Sequence, residues 1–169
     1  MQMPTLPAPR AFPALATLFL LLAACRSPAA PEVTLPLHGV DAPDGVAFSA
    51  RSEAGGSGRT HVLLVLTNVN NRPVRVEYGA CSFVLRVYAT PSREGRPAWD
   101  SALRPTGCPD ILLGATVPAR GAAEVPAGSV GPEILGDSLP PGRYYLTLVL
   151  RPRGGVHLRL PAGEALLSR

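Results

Sequence analysis

Lysine is absent from this chain, and all 16 basic residues are arginines. With alanine, proline, glycine and leucine so abundant, that choice reads as codon bias rather than chemistry. Aromatic residues are scarce at 5%, with Trp99 the single tryptophan, and the arginines are dispersed among Asp and Glu. Nucleic-acid readers combine a basic patch with stacking aromatics or a recognisable motif. Neither is present, so no nucleic-acid partner is expected. The three histidines, His38, His61 and His157, lie far apart and in no metal-ligand spacing. No Gly-x-Ser-x-Gly elbow occurs. The stretch "GGSGRT" (55–60) lacks the lysine of a phosphate loop and runs into an apolar strand instead of a helix. Asp100, Asp110, Glu133 and Asp137 stand apart, with nothing in the sequence to make two of them converge. No catalytic residue, metal ligand or cofactor is therefore assigned, and the chain is not expected to be an enzyme.

Long helices are also excluded. Twenty prolines and 17 glycines punctuate the chain too often for them, while the apolar segments in between argue against disorder. From Gly45 onward the segments carry strand signatures. "GVAFSAR" (45–51) turns Val46, Phe48 and Ala50 one way, and "HVLLVLTNV" (61–69) reads as a central strand covered on both faces. "VRVEY" (74–78) alternates cleanly, and "CSFVLRVYA" (81–89) sets Cys81, Phe83, Leu85 and Val87 on one face. Trp99 follows a polar turn as a core anchor. Residues 117–128 read as a turn and a short strand, and 132–142 as a crossing loop with one helical turn at 133–135. "RYYLTLVLR" (143–151) and "GVHLRLPAG" (155–163) close the pattern. Seven to eight short strands make an all-β, two-sheet antiparallel β-sandwich the expected architecture.

No apolar run is long enough for a comfortable membrane span. The longest, residues 11–24, has 14 residues and follows a segment whose one charge is Arg10. That is the plan of a secretory signal. Its end, Leu22-Ala23-Ala24-Cys25, resembles the lipobox of bacterial lipoproteins. The resemblance implies cleavage before Cys25, lipid on its sulfur and acylation of the new amino group. Several acyl chains give the stable anchoring that one chain cannot. Without residues 1–24, 15 arginines face 12 acidic residues, a net charge of +3. Arg26 stands where an inner-membrane lipoprotein often carries Asp, so the resemblance implies an outer membrane in a bacterium with two membranes, facing the periplasm or the exterior. Residues 25–43 then read as the lipidated cysteine and a Pro/Ala-rich tether. Val33, Leu35 and Leu37 alternate near its end as a potential edge strand. The sandwich is expected over 44–163, with 164–169 as a tail.

With Cys25 given to lipid, Cys81 and Cys108 form an even pair in an exported protein, and a disulfide is the default. Closing a loop of that length contributes roughly 3 kcal/mol in the chain-entropy model.

"HVLLVLTNVNNRPVRVEYGACSFVLRVY", "AWDS" and "LPPGRYYLTLVL" together resemble the BsuPI-type intracellular proteinase inhibitor family. The match spans about residues 60–151. It rests on Thr67-Asn68 at a strand end, the Arg72-Pro73 turn, and Pro140-Pro141-Gly142-Arg143-Tyr144. The resemblance implies an immunoglobulin-like fold. It also implies proteinase inhibition, but the named family works in the cytoplasm whereas this N-terminus reads as exported. No reactive-site residue is matched, so none is assigned. The expected function is a non-catalytic envelope lipoprotein whose immunoglobulin-like domain binds an unidentified protein, through turn-rich loops such as 51–60 and 91–97. An envelope inhibitor with a protease as its partner is the alternative.

Overall fold

Period-two patterning from Val46 onward becomes nine strands among the described residues of a computed structural model, which are 39–103, 109, 111–135, 139–150, 152 and 156–168. In chain order these are β1 (Val46–Ala54), β2 (Thr60–Asn68), β3 (Val74–Gly79), β4 (Phe83–Tyr88), β5 (Trp99–Asp100), β6 (Leu112–Val117), β7 (Ala122–Val130), β8 (Gly142–Leu150) and β9 (Leu158–Leu167). One sheet has the order β1-β2-β7 and a second β5-β4-β8-β9, while β3 pairs with β6. Every strand pairing is antiparallel. The chain folds as an all-β sandwich.

The core lies between the two larger sheets. Val62, Leu64 and Leu66 of β2 meet Leu85 and Val87 of β4 and Leu146, Leu148 and Leu150 of β8 in one cluster of buried side chains. Each fully buried aliphatic side chain of this kind stabilises the fold by about 1.5–3 kcal/mol. The sheet orders match strands A-B-E against C′-C-F-G of an immunoglobulin sandwich. A second feature agrees with that reading. Tyr144, buried at the start of β8, donates its hydroxyl proton to the Pro140 carbonyl four residues upstream, the hydrogen bond of a tyrosine corner. Pro140-Pro141-Gly142 makes the turn that lets the ring fold back.

Asn68 explains the polar end of an otherwise apolar strand. It is 1% exposed, and its amide donates to the carbonyls of Arg72 and Pro118 at 2.9 and 3.0 Å. Its Oδ1 accepts the Asn70 N–H at 2.9 Å. One side chain thus joins the turn after β2 to the turn after β6.

Four expectations are corrected. The tether was expected to run to residue 43, yet Val40 is fully buried and bridges Pro152, and the Asp41 N–H bonds to the Glu77 carbonyl, so the domain takes up these residues. The strand β6 was not expected at all, because Gly114 and the exposed Leu112 and Leu113 break the alternation that marks a half-buried strand. Residues 164–169 were expected as a tail, yet β9 continues to Leu167, which is 1% exposed. An irregularity opposite Leu146 and Thr147, at a positive-φ Gly163, changes which residues point inward. Leu158, Leu160 and Ala162 therefore share a face before it, and Ala165 and Leu167 resume burial after it. Finally, β2 buries one face only. The strand covered on both faces is β8, where Leu146 to Leu150 are all buried.

Candidate functional site

Half of the first expected contact segment, 51–60, is strand. β1 runs to Ala54 and β2 begins at Thr60, leaving a five-residue connection. The Gly55 N–H bonds to the Arg59 carbonyl at 2.8 Å, and the chain reverses through positive φ at Ser57 and Gly58. Arg59 pairs with Glu133 at 3.1 Å, which fastens the hairpin tip to the 3-10 turn Pro132–Ile134. Beside the tip, the Ser52 hydroxyl donates to the Glu164 carbonyl of β9 at 3.3 Å. Between them lies an open groove of about 400 Å³, lined among others by Ser52, Glu53, Arg59, Thr60, Glu164 and Leu166.

The groove's charges are organised by neighbouring arginines. Arg143 pairs with Glu164 at 2.9 Å. Arg51 reaches Glu53 at 2.9 Å on its own strand and Glu124 of β7 at 2.8 Å. Because Arg51 is opposite Leu63 and Glu124 opposite Val65, the second pair crosses the outer face of β2 and covers these two side chains. The hydrogen bond from Arg51 holds the Glu124 carboxyl below the usual carboxylate range, and the two carboxylates raise Arg51 in return.

The second expected segment, 91–97, is a strap rather than a free turn. Arg93, at a positive φ of 54°, donates to the carbonyls of Leu146 and Gly163, both at 3.2 Å. Its guanidinium also lies 5.6 Å from the centre of the Tyr145 ring. From β9, Arg159 donates to the Tyr88 hydroxyl at 2.8 Å and to the Arg93 carbonyl at 3.0 Å. The strap is therefore locked against β8 and β9. Beneath it, Arg86 pairs with Asp100 at 2.9 Å, the least exposed ion pair among those described. The strap's Ser92, Glu94, Gly95 and Arg96 face outward.

The remaining candidates are dispersed. Cys25, Cys108, His38, Asp110 and Asp137 lie outside the described residues. Cys81 is half-buried in the β3–β4 turn, where the buried Ser82 hydroxyl accepts the Gly79 N–H at 2.8 Å. It precedes the strand instead of opening it. His61 lies on β2 and His157 just before β9. Among the described residues no three His, Cys, Asp or Glu side chains come together as a metal site. The strap's arginine–tyrosine lock was missed in the sequence, because Arg93, Tyr145 and Arg159 are neighbours only across β8. No family model matches the chain, and no curated protein matches it either.

Proposed function

We propose that this chain is an envelope lipoprotein, anchored through acyl chains on Cys25, whose immunoglobulin-like domain binds another protein without catalysing a reaction. The observation that carries the binding half is the groove at the β1–β2 tip. It is open, it presents both charge signs, and its walls are strand ends and a fastened hairpin. A wide surface with such rigid edges suits a protein contact better than an engulfed small molecule, which needs an enclosed and mostly apolar cavity. The anchoring half rests on Leu22-Ala23-Ala24-Cys25 at the end of an apolar run.

Pairing of Cys81 with Cys108 belongs to the same reading. It is supported by the Ala80 N–H, which bonds to the Ile111 carbonyl at 3.1 Å and brings the chain three residues after Cys108 beside Cys81. A mass change of two protons on reduction tests the pairing.

A photocrosslinking residue at Gly56 in the full chain tests the protein contact. A specific adduct from Gly56, with none from the same residue at Val156, is expected. Equal labelling from both positions overturns the assignment. Cys25→Ser should move the protein from membrane to soluble fractions, and unchanged fractionation removes the anchor.

The strap favours a second reading, an envelope proteinase inhibitor. Tight inhibitors present a loop already held in its bound shape, and Arg93 holds this one while Ser92, Glu94, Gly95 and Arg96 remain outward. The resemblance to the BsuPI-type family points the same way. Stoichiometric inhibition of a subtilisin-like protease, lost on Arg93→Ala, would move this reading to first place.

A further inference from the structure

Sheet edges invite association, and most edges here are protected against it. β7 carries Glu124 and Pro126 and a register shift opposite Val62 and Leu63. β9 carries Arg159, Pro161 and Glu164 and its own irregularity, and β5 is two residues long. The outer edge of β3 is met by Asp41, whose N–H takes the Glu77 carbonyl. These are the usual devices of charge, proline, bulge and brevity.

β6 has none of them. Its six residues, Leu-Leu-Gly-Ala-Thr-Val, hold no charge and no proline, and its register with β3 is unbroken. Among the described residues no strand pairs with its other side. The Ala80 bond to Ile111 and the strict alternation of an antiparallel ladder set which groups turn outward. The Ile111 carbonyl and both groups of Leu113 and Ala115 face β3, so the N–H and C=O of Leu112, Gly114 and Thr116 face away. The outward turn of the Glu77 carbonyl, opposite Gly114, fits the same parity. Ile111, Leu112 and Leu113 are 52%, 58% and 43% exposed. An uncharged apolar edge with three residues whose backbone has no strand partner among the described residues is a template for another strand.

We propose that β6 pairs antiparallel with β6 of a second copy of this chain, about a two-fold axis at Gly114. The edge is self-complementary in that register. Gly114 meets Gly114 of the second copy, Leu112 meets Thr116, and Leu113 lies beside Ala115, so all three outward residues exchange backbone hydrogen bonds. Glycine at the axis lets the two backbones approach without a side-chain clash. No like charges oppose each other along the strand. Among the described residues the cation beside it is Arg75, which lies over Gly114 and is paired with Glu77 at 3.3 Å. A contact this short is weak and reversible at solution concentrations. The inference is independent of the groove and of the strap.

Gly114→Cys in the full chain tests it. Residues opposite each other in a hydrogen-bonded antiparallel pair have Cα atoms about 5.5 Å apart, within disulfide reach. Mild oxidation should give a covalent homodimer on a non-reducing gel, whereas Glu53→Cys at the edge of β1 should not. Adding Thr116→Pro removes an outward N–H without touching the ladder to β3. That change should lower the crosslinked yield at least about tenfold while the circular dichroism spectrum stays that of the parent. Monomer alone from Gly114→Cys, equal dimer from Glu53→Cys, or an adduct to a different protein would each overturn the proposal.

Discussion

Replacing Tyr144 with Phe removes one hydroxyl from a ring that is otherwise 5% exposed and leaves the ring's packing in place. The group lost is the donor to the Pro140 carbonyl. A typical intramolecular hydrogen bond contributes about 0.5–1.5 kcal/mol net, and stranding a buried acceptor raises the cost toward about 3 kcal/mol. The Pro140 carbonyl sits in a turn, and the bond is only partly buried, so the lower half applies. Tyr144→Phe should therefore destabilise the domain by about 1–2 kcal/mol. For a domain of this size that corresponds to a fall in Tm of roughly 3–8 °C. Urea unfolding followed by circular dichroism measures it, with an unchanged m-value expected because the packing survives. Thr147, three residues along the same strand, supplies the opposite case. Its hydroxyl is buried with no hydrogen-bond partner among the described residues. Thr147→Val exchanges an unpaired polar group for a methyl of similar shape, so it should stabilise by about 1 kcal/mol. A Tyr144→Phe variant as stable as the parent, or a Thr147→Val variant less stable, would refute the hydrogen-bond reasoning at this corner.

Asn68→Ala strands three backbone groups in two turns at once and should cost about 2–4 kcal/mol, visible as a lower urea midpoint. A cost under about 1 kcal/mol would show that the two turns hold themselves. The Arg51–Glu124 pair makes stability depend on acid. Glu124 is held below the ordinary carboxylate range in the folded state, so its contribution is complete above that range and is lost as pH falls through the lowered value. Comparing parent and Glu124→Gln by urea unfolding between neutral and acidic pH should show their difference in stability shrinking on acidification and in high salt. A difference independent of pH would remove the pair from the account.

Strand legibility tracked burial on one face. β1 and β3 were read because their apolar residues alternate, and β8 because its long apolar run is bounded by Pro-Pro-Gly and Arg. β6 was not read because its side chains are exposed on both faces near Leu112 and Leu113, and its pairing with β3 depends on backbone bonds that carry no sequence signal. The end of β9 was misplaced for a related reason. A single irregularity shifts the inward face, and a strict period of two then points Ala165 and Leu167 the wrong way.

The sequence by itself determined the class of fold, through strand-length apolar segments and frequent Pro and Gly that exclude long helices. It also placed Tyr144 directly after the Pro140-Pro141-Gly142 turn, while the hydrogen bond back to Pro140 came from the structure. Only the tertiary structure decided the surfaces. Arg93 reaches Leu146 and Gly163, Arg51 reaches Glu124, and Arg59 reaches Glu133 across separations that no local pattern encodes. The physical reason is range. Period-two burial and turn chemistry act between near neighbours, whereas a strap, a groove and an unprotected edge exist only once distant strands are set side by side.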